Sequence, residues 1–122
     1  MLESLSASKS SLKMLTLSNL GFDNNTIFFL SKALNSHPSI EQLDISSNNL
    51  SSKQIDMFLH LTNDNLKSLN ISYNSGSESV ESLSTFLHRS MKLVHFDMSG
   101  LGIKMDGLLA LAKDGIRKSR TL

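Results

Sequence analysis

Hydrophobic positions recur along this chain in one spacing, four times over. LKMLTLSNLGF begins at Leu12, IEQLDISSNNL at Ile40, LKSLNISYNSG at Leu66 and LVHFDMSGLGI at Leu93, with starts 28, 26 and 27 residues apart. Apolar side chains hold the first, fourth and sixth places of each segment. They are Leu12, Leu15 and Leu17; Ile40, Leu43 and Ile45; Leu66, Leu69 and Ile71; and Leu93, Phe96 and Met98. Places four and six are two residues apart, so both point to one side of a short strand. The residues between and after them point outward.

The stretches after each strand change to helical spacing. Ile27, Leu30 and Leu34 form one stripe with Ala33 beside it, and Ile55, Phe58 and Leu61 approximate the next. Val80, Leu83 and Leu87 continue the pattern, as do Leu108, Leu111 and Ala112. Ser51 with Gln54 three residues on predicts a capping box. Ser77 is expected to cap the third helix and Asp106 the last. Pro38 stands where the first helix must already have ended.

One such unit buries neither its strand nor its helix alone. Stacking places the strands side by side as a parallel sheet, with the helices behind it and leucines filling the wedge. Helices need about 10 Å of lateral space and strands about 4.8 Å, so the stack bends with its strands inside. The expected fold is an α/β solenoid, a short right-handed horseshoe arc. Its parallel β-sheet lies on the concave side and its helices on the convex side. The expected division is a partial preceding helix over 1–11, then repeats over 12–39, 40–65, 66–92 and 93–122. Leu122 lies 29 residues after Leu93, where another unit would begin, so the chain reads as a piece of a longer array.

The spacing L-x-x-L-x-L-x-x-N-x-L is the leucine-rich repeat signature. Residues 40–50 match it in full with isoleucine allowed for leucine. Residues 66–74 match through Asn74, after which Gly76 replaces the last apolar residue. The first and fourth copies carry Leu20 and Leu101 in the asparagine place, with Phe22 and Ile103 fitting the final one. The chain therefore resembles leucine-rich repeat proteins of the ribonuclease-inhibitor-like subclass. That type of array also occurs in CARMIL-like and tropomodulin-like cytoskeletal proteins, Ran GTPase-activating proteins and nucleotide-binding innate immune receptors. The resemblance implies interior asparagines at 48 and 74 that satisfy turn backbone, and a concave face used for binding. It says little about which partner, because the scaffold serves unrelated tasks.

Composition narrows the classes. Lys+Arg is 12 and Asp+Glu 11, giving +1 overall, but residues 113–120 hold four bases and one acid. The body is thus weakly acidic and the tail basic. Lys113, Arg117, Lys118 and Arg120 suit a solvated helix end as well as a contact with acidic groups. They lack the interleaved aromatics of a single-strand-binding surface, so nucleic acid is not an expected partner. Cysteine is absent, which excludes disulfides and thiol chemistry. The N-terminus is not a signal peptide, no run reaches membrane-spanning length, and a cytoplasmic location fits best. Asn24, Asn49 and Asn70 sit in glycosylation acceptor patterns that would need a secretory route.

The outward strand places form columns. One holds Met14, Gln42, Ser68 and His95; the next Thr16, Asp44, Asn70 and Asp97; a third Ser18, Ser46, Ser72 and Ser99; a fourth Asn19, Ser47, Tyr73 and Gly100. The face is polar, mildly acidic and made of small groups. Its candidate protein-binding residues are Met14, Gln42, Asp44, Asn70, Tyr73, His95 and Asp97. Asp44 and Asp97 would stand roughly 10 Å apart, two strands away from each other, and outward polar groups need no catalytic explanation. His37, His60, His88 and His95 are scattered without metal-ligand pairing. No serine sits in a nucleophile elbow, and no phosphate-binding loop occurs.

The expected function is therefore a non-enzymatic protein–protein interaction scaffold acting through the concave strand face, without cofactor or metal. Two rivals remain. A GTPase activator of the Ran type depends on an arginine from an early repeat, but the first arginine here is Arg89. A self-assembling module would associate through uncapped array ends.

Overall fold

The computed structural model describes residues 13–62 and 65–110. Strands and helices alternate: β1 (Met14–Thr16), α1 (Asn24–Ser36), β2 (Gln42–Asp44), α2 (Ser52–Leu61), β3 (Ser68–Asn70), α3 (Val80–Arg89), β4 (His95–Asp97) and α4 (Met105–Ala110). All four strands are parallel and pair in sequence order. Met14 lies opposite Gln42, Gln42 opposite Ser68, and Ser68 opposite His95. Equivalent residues of neighbouring units thus stand side by side. Each helix packs against the next, which makes the chain an α/β solenoid of the horseshoe kind.

The core is the layer between sheet and helices. Leu17, Ile40, Leu43, Ile45, Leu66, Leu69, Ile71 and Leu93 are buried from the strand side. Leu15, Phe96 and Met98, on the outermost strands, are partly buried. The helices contribute Ile27, Leu30, Ala33 and Leu34, then Ile55, Phe58 and Leu59, then Leu83, Phe86 and Leu87. Leu59, rather than the expected Leu61, completes the α2 stripe, and Phe86 adds an aromatic to α3. Leu108 is exposed, a departure from its expected place in the core.

Helix ends follow local chemistry. Ser51 and Gln54 form the full capping box on α2. Asp23 caps α1, taking the Thr26 amide at 2.8 Å. Ser77 does not cap α3: Ser79 occupies the cap and its hydroxyl reaches back to the Ser52 carbonyl at 3.1 Å. Asp106 lies inside the first turn of α4, where its charge favours the helix N-terminus. The expected partial helix over 1–11, the apolar places at Leu12, Leu111 and Ala112, the position of Leu122 and the basic cluster at 113–120 lie outside the described residues.

Candidate protein-binding face

Behind the face, the first two turns after a strand are each held by an asparagine from the next unit. Asn48 is almost wholly buried. Its Oδ1 accepts from the amides of Leu20 (2.6 Å) and Gly21 (3.1 Å), in the turn one unit earlier. Its Nδ2 donates to the carbonyls of Leu17 (2.8 Å), Ile45 (2.9 Å) and Ser46 (3.2 Å). Asn74 repeats the arrangement, taking the amides of Asn48 and Leu50 and donating to Ile45, Ile71 and Ser72. Both asparagines therefore have the structural role expected of them.

The third unit manages its turn differently. The Gly76 amide donates to the backbone carbonyl of Leu101 (3.1 Å), which stands in the asparagine place. A Cβ on Gly76 would lie 2.9 Å from Ile55 Cδ1 and 3.3 Å from Leu101 Cδ1. The space that the repeat normally gives to its own last apolar residue is thus occupied by the neighbours' side chains.

The outward columns are shaped by a second local device. Asp44 Oδ1 accepts from the amide (2.9 Å) and hydroxyl (2.6 Å) of Ser46. Asn70 Oδ1 does the same for Ser72, at 2.9 and 2.6 Å. Asp97 Oδ1 accepts from the Ser99 amide at 2.9 Å. These are Asx turns, in which a short polar side chain replaces a backbone acceptor. Ser46 and Ser72, after the two inner strands, are buried rather than outward-facing as expected, whereas Ser99, in the same turn after the outer strand β4, is exposed. The amide and hydroxyl of Ser99 hold the Asp97 carboxyl below the ordinary value near 3.8.

Met14, Gln42, His95 and Asp97 are exposed, while Asp44 and Asn70 are half-buried. Met14, Gln42, Asp44 and Asn70 line one shallow hollow of about 230 Å³ across β1 to β3. His95, Asp97 and Asn70 border a larger one, of about 790 Å³, that runs over β4 toward Leu101 and Leu108. Asn70 belongs to both. Tyr73 lines neither.

The eighth place of each segment has a left-handed backbone throughout: Asn19 (φ 58°), Ser47 (55°), Tyr73 (57°) and Gly100 (67°). Asparagine and glycine suit that conformation, whereas for a bulky side chain it is an outlier costing on the order of 1–2 kcal/mol. Tyr73 is nevertheless 66% exposed. Its ring lies over Gly100, where an added Cβ would meet Tyr73 Cδ1 at 2.6 Å. The tyrosine is therefore fixed by its backbone and supported by a glycine, with most of its surface in solvent.

On the convex side, the Arg89 guanidinium reaches the carbonyls of Leu59 and Thr62 at the end of α2 and lies 5.5 Å from the Phe86 ring centre. Phe28 and Phe29 meet edge to face on α1, both about half exposed, with Lys32 over Phe28. Among the described residues no group of three or more histidine, cysteine or acidic side chains could hold a metal. No helix among them is long and apolar enough to cross a membrane.

No family model matches this sequence, and no curated protein matches it. Solved structures do match its fold. One described as Leiomodin-1 Actin-Binding Site 2 superposes with a TM-score of 0.83 at 14% identity, covering 99% of this chain and 73% of that one. A tropomodulin C-terminal domain from Caenorhabditis elegans superposes with a TM-score of 0.64 at 12% identity, covering 96% and 90% respectively. At these identities the likeness is one of fold: the strand–helix arc seen here is the architecture of both.

Proposed function

We propose that this chain is a non-enzymatic protein-binding module of the leucine-rich repeat, ribonuclease-inhibitor-like kind, working in the cytoplasm and taking its partner on the concave strand face. Actin is the first partner to test. The observation that carries the reading is the likeness over nearly the whole chain to a domain described as an actin-binding site. The face itself supports it: small side chains on a rigid sheet leave a partner room to approach, and Tyr73 and Met14 provide apolar surface within it. We assign the seven residues Met14, Gln42, Asp44, Asn70, Tyr73, His95 and Asp97 to the contact. A Ran-type activator finds no support in Arg89, whose guanidinium is engaged at the end of α2.

Co-sedimentation of the 122-residue protein with actin filaments, and gel filtration with monomeric actin, test the partner. The expected result is saturable binding that a Tyr73→Asn, Asp44→Asn, Asp97→Asn triple variant loses while keeping its circular dichroism spectrum. No binding to either form removes actin. Undiminished binding by the triple variant removes the concave face.

A further inference from the structure

We infer that the concave face takes a basic segment of its partner, with an arginine or lysine side chain laid on the exposed Tyr73 ring and paired with the Asp97 carboxylate. This rests on the reading of the concave face as the binding face, and not on the identity of the partner. Three features lead to it.

The first is charge. Across the sixteen places of the four columns, the acids are Asp44 and Asp97, and there is no lysine or arginine. Among the described residues, Lys13 and Lys67 stand at the second place of their segments, at the end of the strands away from Tyr73, and Lys104 lies four residues past Gly100, outside the columns. Lys67 is paired with Glu41 at 3.4 Å. A basic group approaching the columns therefore meets carboxylate and no lysine or arginine within them.

The second is the ring itself. The fold takes asparagine, serine and glycine at the equivalent places of the other units, so tyrosine is not what this turn requires. One face of its ring is spent on Gly100. The other is open, and an open aromatic face attracts a cation within about 6 Å of its centre. A guanidinium can stack there and still present N–H groups to a carboxylate.

The third is position. Asp97 lies three residues before Gly100, on the same segment that supports the ring. The Tyr73 amide donates to the Ser99 carbonyl at 2.8 Å, and the Ser99 amide donates to Asp97 Oδ1 at 2.9 Å, so both residues are anchored on Ser99. The carboxylate is fixed in its Asx turn and the ring rests on Gly100, which lowers the ordering cost of binding to each.

The test uses three octapeptides, (Gly-Arg)4, (Gly-Lys)4 and (Gly-Glu)4, titrated into the ¹⁵N-labelled 122-residue protein and followed by NMR. The expected result is saturable shifts at the Tyr73, Asp97 and Gly100 amides with the arginine peptide, weaker ones with lysine and none with glutamate. Tyr73→Asn and Asp97→Asn each weaken the arginine peptide by about fivefold or more, while Tyr73→Phe keeps the ring and the affinity. Shifts confined to other acidic surfaces, such as Glu78 and Glu81, would reduce the effect to general charge attraction and overturn the proposal. So would equal affinity of Tyr73→Asn, or binding of the glutamate peptide. Actin binding without this arginine response defeats the inference and leaves the proposed function standing; the arginine response without actin binding removes actin as the partner and leaves the inference standing.

Discussion

Asn48→Ala isolates the bonds that tie one unit to the next. The substitution deletes the five hydrogen bonds of the side chain, two accepted and three donated. Leu20 and Gly21 are exposed, so their amides can turn to water at little cost. Leu17 is buried, and its carbonyl loses this partner where replacement is hardest, while the Ile45 carbonyl keeps Asn74 Nδ2 at 3.2 Å. At about 1–3 kcal/mol for the buried group left unpaired, plus about 1 kcal/mol for the void of the missing amide, the loss is about 2–4 kcal/mol. That is a large share of the roughly 5–15 kcal/mol that holds a domain together. Urea unfolding followed by circular dichroism measures it. The control is Asn49→Ala, next in sequence but exposed, which removes a side chain from a left-handed position (φ 56°). It should cost no more than about 1–2 kcal/mol. A loss below about 1 kcal/mol for Asn48→Ala, the range of ordinary surface changes, would refute the account of the buried amide as the link between units.

Other outcomes follow from single contacts. Gly107→Ala should destabilise by about 1 kcal/mol or more, not stabilise as in an open helix, because its Cβ would lie 2.7 Å from Ile103 Cγ2 and 2.8 Å from Val80 Cγ2; a raised melting temperature would contradict this. Arg89→Ala should cost about 2 kcal/mol through the carbonyls of Leu59 and Thr62, and a variant as stable as the parent in urea would show that they need no such partner. The amide and then the hydroxyl of Thr26 hold Asp23 below 3.8, as Ser99 holds Asp97. Lowered folded-state values mean stabilisation that is present above the ordinary carboxylate range and lost as pH falls through the folded values. Carbon-detected NMR titration should place both midpoints below 3.8, with Ser99→Ala moving Asp97 upward; midpoints at or above 3.8 in the parent would disprove the assignment.

The sheet was legible because its signal is doubly periodic. Apolar places two apart define each inward strand face, and the 26–28-residue recurrence leaves little freedom in how Leu43 or Leu69 can be placed. The asparagines were legible for the same reason. Helix details were less so. Leu59 and Leu61 lie two residues apart on α2, and only packing against neighbouring helices decides which is buried. The capping role of Asp23 had a readable signal, the D-x-x-T at 23–26, as did the Asx turns, where Asp or Asn precedes Ser by two in three segments. The burial of Ser46 and Ser72 goes with the hydroxyl bonds of those turns and with a neighbouring unit on each side, neither of which strand alternation signals. The support of Tyr73 by Gly100 joins residues in different segments, and neither residue alone signals it.

The asparagine link points one way along the chain: the amide of Asn48 completes the turn at Leu20, and that of Asn74 completes the turn at Leu50. Biosynthesis runs in the opposite sense. A nascent first turn must wait for the next segment to leave the ribosome, about 28 residues or some seconds later at ordinary elongation rates. During that interval the exposed strand of the newest unit is the least protected part of the molecule. Translation pauses within such an interval would therefore expose the same unfinished edge each time, and a chaperone that recognises short apolar strands would find it there.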